Sequence, residues 1–188
     1  QGDDTSLSYN SVKDIKEDGF GNIWVATNYG LNKYNIDKDN FKQYKEKDGL
    51  ANNFVYEILI DDDQNLWMST NYGISRYNQA ADKFVNFNFG DGLQGSEFNK
   101  NSGYKSKSGE MFFGGIGGLN SFYPEDFKED NFNTNIVIDK VYIDGEYINV
   151  SENIELKYHE KNIHIEYFLP DYRNTKKIIY AYKLEGLD

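Results

Sequence analysis

The sequence predicts an all-β chain: a partial β-propeller of about three four-stranded blades, the last one degenerate, followed by a truncated β-sandwich. Three observations predict it. A unit of 43 residues recurs along the chain. Short apolar runs are divided by polar turn clusters at the spacing expected of all-β folds. Tyr and Phe, which favour half-buried pleated surfaces, number 16 and 13 in 188 residues.

The repeat appears when residues 7–49 are set over 50–92, where 17 of 43 positions are identical. Trp24 falls on Trp67, Val12 on Val55, Ile15 on Ile58, Asp18 on Asp61 and Asn22 on Asn65. Thr27-Asn28-Tyr29-Gly30 falls on Thr70-Asn71-Tyr72-Gly73, Tyr34-Asn35 on Tyr77-Asn78, Phe41 on Phe84, and Asp48-Gly49 on Asp91-Gly92. A third copy follows at an offset of 45: Gly109-Glu110-Met111-Phe112-Phe113-Gly114 takes the place of Gln64-Asn65-Leu66-Trp67-Met68-Ser69. Gly118-Leu119 then matches Gly73-Ile74, and Phe122 matches Tyr77. Terminal repeats commonly diverge, because one of their sides no longer meets an identical neighbour.

A period of this length suits both propeller blades and paired-helix repeats. The local pattern separates them. The apolar runs are four to six residues long, and no stretch sustains an i, i+3, i+4, i+7 stripe long enough for paired helices. Turn clusters such as Asp18-Gly19-Phe20-Gly21-Asn22 and Asp37-Lys38-Asp39-Asn40 punctuate the runs. The first blade is therefore predicted to hold strands at 12–17, 22–27, 30–35 and 40–45. The second repeats them at 55–60, 65–70, 73–78 and 83–89. The third holds 103–107, 110–114 and 118–123. The repeats span 7–49, 50–92 and 93–127, and Pro124-Glu125-Asp126-Phe127 ends them.

Residues 128–135 are polar and Asn-rich and read as a linker. Beyond them, Ile136-Val137-Ile138, Val141-Tyr142-Ile143, Ile154-Glu155-Leu156, Ile163–Tyr167 and Ile179–Tyr182 read as strands of a sandwich over 136–188. Asp144-Gly145 is a two-residue hairpin signal. The polar start at Gln1 and the stop at Asp188, directly after a strong strand, read as cuts within a longer protein.

Composition excludes several function classes. A formal net charge of −11 argues against a nucleic-acid partner and against an anionic membrane surface. With no cysteine, disulfides, thiolate nucleophiles and zinc–thiolate sites are absent. No apolar run is long enough to cross a bilayer, so any membrane contact is expected through a segment outside this chain.

The wording of the repeat, GNIWVATNYGLNKYN, resembles the propeller repeats of two-component regulator sensors. GEMFFGGIGGLNSFYPEDF resembles their closing blade. IELKYHEKNIHIEYFLPDY and IIYAYKLEGLD resemble the first half of the three-Tyr β-sandwich that follows the propeller in that family. The resemblance implies the sensor region of a two-component histidine kinase, hybrid or not. It implies an extracytoplasmic place, periplasmic or at the cell surface, and signalling in response to carbohydrate. The chain departs from the family in length, since a complete member has more blades.

Candidate sites are few. The loops carrying Asn28, Tyr29, Asn71 and Tyr72 offer amides and flat rings that suit an oligosaccharide, though an Asn-Tyr-Gly turn is also ordinary turn chemistry. They should share a face with Ala51-Asn52-Asn53 and Gln94-Gly95-Ser96-Glu97. Trp24 and Trp67 are expected to pack between blades. Asp61-Asp62-Asp63, and Asp37 with Asp39, lack the full set of a calcium loop and read as turns. Gly114-Gly115-Ile116-Gly117-Gly118 precedes a strand, so it reads as a bend, not as a phosphate loop. His159 and His164 have no nucleophile partner or metal spacing. No catalytic residue, metal or cofactor is expected. A propeller lyase or hydrolase, with acids facing the central channel, and a non-signalling binding scaffold remain the alternatives. Blade faces left open are expected to drive self-association.

Overall fold

The computed structural model describes residues 3, 5–127, 135–149, 162–170, 180 and 182. The chain divides into two units, between Lys128 and Glu129.

The first unit is a row of propeller blades. Blade 1 comprises β1 (Val12–Glu17), β2 (Ile23–Thr27), β3 (Gly30–Asn35) and β4 (Asn40–Tyr44). Blade 2 comprises β5 (Val55–Ile60), β6 (Leu66–Thr70), β7 (Gly73–Asn78) and β8 (Lys83–Phe87). Blade 3 comprises β9 (Phe98–Lys105), β10 (Met111–Gly115) and β11 (Gly118–Phe122). Within each sheet the strands pair antiparallel in chain order. The first strands of successive blades touch one another, so β1, β5 and β9 form the inner rim.

Blade 3 differs from its prediction in two ways. β9 begins at Phe98, five residues before the predicted 103, because an irregularity between Phe113 and Gly115 brings Gly115 opposite Phe98. Among the described residues the blade has three strands. The turn at Pro124–Asp126 places Phe127 against Phe122, Phe87 and Trp67, with ring centroids 5.0, 4.8 and 5.4 Å away. In blade 2 it is Phe84 of the fourth strand that meets the equivalent Tyr77 and Tyr44, at 4.7 and 5.9 Å. Phe127 thus does for blade 3 what a fourth-strand aromatic does for blade 2.

Alternation along each strand splits the apolar residues between two blade interfaces. Trp24, Ala26, Leu31, Tyr44 and Leu50 meet Val55, Ile58, Leu66, Met68 and Tyr77 between blades 1 and 2. Leu59, Trp67, Ile74 and Leu93 meet Phe98, Met111 and Phe113 between blades 2 and 3. Each Trp is fully buried, and each indole N–H donates to the Asp six positions earlier: Trp24 Nε1 to Asp18 Oδ2 at 2.8 Å and Trp67 Nε1 to Asp61 Oδ2 at 2.9 Å. The same carboxylates accept from the backbone N–H and side-chain amide of Asn22 and Asn65. Asp18 and Asp61 are therefore buried acceptors that allow an indole into the core without an orphaned donor. Burial pushes the Asp18 carboxyl up, but hydrogen bonds from Trp24 and Asn22 outweigh it and hold the group below the ordinary aspartate value.

The second unit contains β12 (Val137–Ile143), β13 (Glu146–Ile148) and β14 (Ile163–Phe168), with β12 central. Asp144 and Gly145 turn the β12–β13 hairpin at φ 48° and 88°, as a type I′ turn requires. The runs read as separate strands at 136–138 and 141–143 form one strand, with an irregularity between Ile138 and Lys140. His164 sits exposed on β14 opposite Tyr142. His159 and the run at 154–156 lie outside the described residues, as does most of the run at 179–182.

Candidate functional site

The face formed by the β2–β3 and β6–β7 turns is built on a repeated local device. Thr27 Oγ1 accepts from Tyr29 N (3.0 Å) and donates to Gly30 O (2.9 Å). Thr70 Oγ1 does the same for Tyr72 N (3.0 Å) and Gly73 O (2.9 Å). Both Thr side chains are buried. The Gly that follows has φ 126° at Gly30 and 91° at Gly73, the left-handed side that favours glycine. Thr and Gly thus explain why the turn recurs. They leave the Tyr between them without a packing role, and both rings stand out into solvent: Tyr29 is 49% and Tyr72 58% exposed.

The surroundings of the two rings are not repeated. Tyr29 lies 6.5 Å from Tyr9 and beneath the Lys45 ammonium, 5.1 Å from the ring centre. Lys13 of β1 covers Phe54 at the start of blade 2, 5.3 Å from the ring centre, and Phe54 packs on Tyr56 at 4.7 Å. The Tyr56 hydroxyl donates to Asn71 Oδ1. The four residues singled out in the sequence therefore divide. Tyr29 and Tyr72 both expose their rings, Tyr29 with Lys45 over one face, while Asn71 offers its oxygen inward to Tyr56. Asn28 Oδ1 is also turned inward, buried and without a hydrogen-bond partner. Asn52 and Asn53 shape their own connection, through Asn52 Oδ1 accepting from Phe54 N and Asn53 Oδ1 accepting from Glu46 N.

Tyr9, Lys13, Lys45 and Phe54 were not visible as site residues in the sequence. In the repeat alignment Tyr9 falls on Asn52, Lys13 on Tyr56 and Lys45 on Asn88, so periodicity gave no signal for them. The third turn of this face, in blade 3, has Gly117 at the Tyr position and an exposed Ile116 at the Asn position. Gln94 fills the space beside it, accepting from Gly117 N at 2.6 Å. The glycine run is a bend between β10 and β11, as its sequence indicated.

Acidic and basic side chains of neighbouring strands meet on the inner rim. Asp14 Oδ2 on β1 accepts from Ile58 N on β5 at 2.9 Å. Lys16 Nζ lies 3.0 Å from Asp14 and 3.8 Å from Glu57. Glu57 on β5 accepts in turn from the backbone N–H groups of Asn101 and Gly103 on β9. These carboxylates latch β1 to β5 and β5 to β9. Among the described residues no three of His, Asp and Glu converge as metal ligands. Asp39 accepts from the Tyr34 hydroxyl, and Asp62 pairs with Lys105.

Burial, reinforced by the charge of Asp14, pushes the Glu57 carboxyl above the ordinary glutamate value, further than Lys16 and the two backbone donors pull it down. A raised folded value favours the protonated group. Its contribution to stability is complete below the unfolded value of about 4.3 and is lost as pH rises through the folded value. The Glu57→Gln variant should therefore gain in melting temperature relative to the parent between pH 4 and pH 8. A relative loss over that interval would mean that the ionised carboxylate is the favoured form.

Comparison with known proteins identifies the repeat. Residues 6–29 and 49–72 match the two component regulator propeller family. Each of the two complete blades thus carries one segment similar to a two component regulator propeller repeat. Histidine kinase P4 of Formosa agariphila is 27% identical over 195 residues, which covers 97% of this chain and 11% of that protein. The extracellular domain of the hybrid two component system BT3049 from B. thetaiotaomicron superposes with a TM-score of 0.63 at 26% identity, over 85% of this chain and 23% of that one. A second such extracellular domain, BT4673, gives a TM-score of 0.42 at 18% identity, over 74% of this chain and 27% of that one. The chain thus spans about a tenth of its curated relative and about a quarter of the solved domains.

Proposed function

We propose that this chain is a non-catalytic part of the extracytoplasmic sensor of a bacterial two-component receptor, and that it contacts an oligosaccharide through the face bearing Tyr29 and Tyr72. The observation that carries the receptor reading is the pair of consecutive two-component regulator repeats in a chain related along its whole length to a histidine kinase. The inner-rim carboxylates held in strand-to-strand contacts support a sensor over a lyase or hydrolase.

The ligand reading rests on the two exposed rings. Tyr supplies a flat apolar face with a polar tip at low entropic cost, and nothing in the turn itself requires a ring at Tyr29 or Tyr72. Binding would act by population shift: a ligand that prefers one arrangement of the receptor biases the equilibrium by its difference in affinity. The segment from residue 136 onward would be the opening of the three-Tyr sandwich that passes this bias toward the membrane.

The test is calorimetric titration of the chain with a panel of oligosaccharides. A ligand should be found whose affinity falls at least tenfold in Tyr29→Ala with Tyr72→Ala, while the melting temperature stays within about 2 °C, because both rings are solvent-exposed. Polymer cleavage by the chain, or binding indifferent to both substitutions, would overturn the reading.

A further inference from the structure

We infer that the cleft between blades 1 and 2, at the strand ends opposite Tyr29 and Tyr72, is a second binding site, and that it takes a neutral polyhydroxylated ligand of about the size of a disaccharide. This does not rest on the reading of the Tyr29 and Tyr72 face, because the two sites share no residue. Both walls of the cleft come from complete four-stranded blades of this chain.

The β1–β2, β5–β6 and β7–β8 turns build the cleft. Its volume is about 590 Å³, inside the range of roughly 300–1,000 Å³ that small-molecule sites occupy. Its walls are tied together by the protein itself. Gly19 N of the first turn donates to Gln64 Oε1 of the second, and Gln79 Nε2 of the third donates to Gln64 O at 2.6 Å. Walls fixed in advance spare a ligand the cost of ordering them.

The lining residues keep hydrogen-bonding groups of both kinds. Asn22 Nδ2 donates to Asp18 and Asn65 Nδ2 to Asp61, which fixes each amide and leaves its Oδ1 as an acceptor that no described residue uses. Asn78 is arranged the other way: its Oδ1 accepts from Ala81 N at 3.0 Å, and its Nδ2 remains a donor. Lys33 adds a charged donor. Its ammonium lies 5.1 Å from the centre of the Trp24 ring, and no described residue accepts a hydrogen bond from it. Asp82, which feels that charge, already accepts from the Tyr77 hydroxyl and lies 3.5 Å from Lys42. The next junction is different. Arg76, at the position of Lys33 and 5.7 Å from the Trp67 ring, donates to Phe127 O at 3.1 Å. The positions of Asn65 and Asn78 hold Glu110 and Tyr123 there, so joining two blades does not require the amides.

A ligand must donate to the amide oxygens and accept from the ammonium and the Asn78 amide. Hydroxyl groups do both. An anion could not donate to the oxygens and would meet the exposed Asp63, which also lines the cleft. An apolar ligand would leave all these groups without partners. Phe20, 69% exposed on the wall, supplies a flat apolar surface for the C–H face of a sugar ring.

NMR titration of the chain tests this, with maltose, cellobiose and xylobiose as neutral probes and galacturonic acid as the anionic one. The side-chain amide signals of Asn22, Asn65 and Asn78 are the readout. At least one disaccharide should shift them saturably. Lys33→Met keeps the apolar stem over Trp24 and removes the charged donor, so it should weaken that binding about tenfold or more. Phe20→Ala should weaken it as well, and the exposure of this ring spares the fold if Lys33→Met does not. The protein with both Tyr29→Ala and Tyr72→Ala should bind the same probe in the cleft as the parent does, which separates failure of this site from failure of the other. The inference is overturned if no disaccharide moves the three amides, if both cleft variants bind like the parent, or if galacturonic acid binds more tightly than every neutral probe.

Discussion

Trp67→Ala should destabilise the propeller unit by about 3–5 kcal/mol, the range for emptying a buried aromatic site. The ring is fully buried and stacks on Phe87 at 5.6 Å, with Phe122 and Phe127 at 5.0 and 5.4 Å. Removing it opens a void among residues from two blades, and neither rigid sheet can collapse to fill it. It also takes the indole N–H from Asp61, leaving a 5%-exposed carboxylate with one donor fewer. The two contributions separate in Trp67→Phe, which keeps most of the ring and loses only the donor. That variant should lose about 1–3 kcal/mol, the cost of an unsatisfied buried polar group. Trp24→Ala should behave alike, since Tyr44 and Tyr77 hold its ring at 5.9 and 5.6 Å and Asp18 accepts the hydrogen bond of its indole N–H. Urea unfolding measures all three. An alanine variant with an unchanged midpoint would mean that the Trp is not what joins the blades.

Gly73→Ala should cost at least about 2 kcal/mol, more than a non-glycine residue in the left-handed region costs by itself. Gly73 sits at φ 91°, and a Cβ there would stand 2.0 Å from the carbonyl oxygen of Phe87. That oxygen belongs to the end of β8, so relief requires moving the outer strand and with it Phe87, which stacks on Trp67. Gly30→Ala should cost less, because the nearest atom, Tyr44 O, would lie 2.5 Å away. The order of the two effects in urea unfolding is the check, and equal midpoints would contradict the turn geometry. Such a penalty explains the glycine of the repeated turn without any reference to a ligand.

The repeat made most of the fold legible. Trp24 and Trp67, forty-three residues apart, fixed the period. The polar turns then fixed the strands of blades 1 and 2 to within a residue or two. Periodicity failed where the repeat itself fails. In blade 3 the strand predicted at 103–107 starts at Phe98 instead, because its pairing crosses an irregularity, which no spacing argument reveals. Phe127 looked like the end of the repeat, yet its ring takes the place that Phe84 holds in blade 2, since filling an aromatic site requires a ring and not a particular backbone.

The carboxylate beneath each Trp was half legible. Asp18 and Asp61 aligned, but an Asp in a polar cluster reads as a turn residue until the indole that approaches it is seen. The candidate site was legible only in Tyr29 and Tyr72. Lys45, Lys13 and Phe54 reach it from other blade positions through the fold, and a single sequence carries no record of such meetings.

If these blades belong to a membrane receptor, the reading frame around this chain encodes the rest of it. Sequencing downstream of Asp188 should reveal the rest of a β-sandwich, one apolar segment of about 20 residues and then a histidine kinase or another signalling domain. A frame that continues instead into a catalytic domain with no membrane-spanning segment, or that ends with the sandwich, would contradict the receptor and leave an enzyme or a binding scaffold.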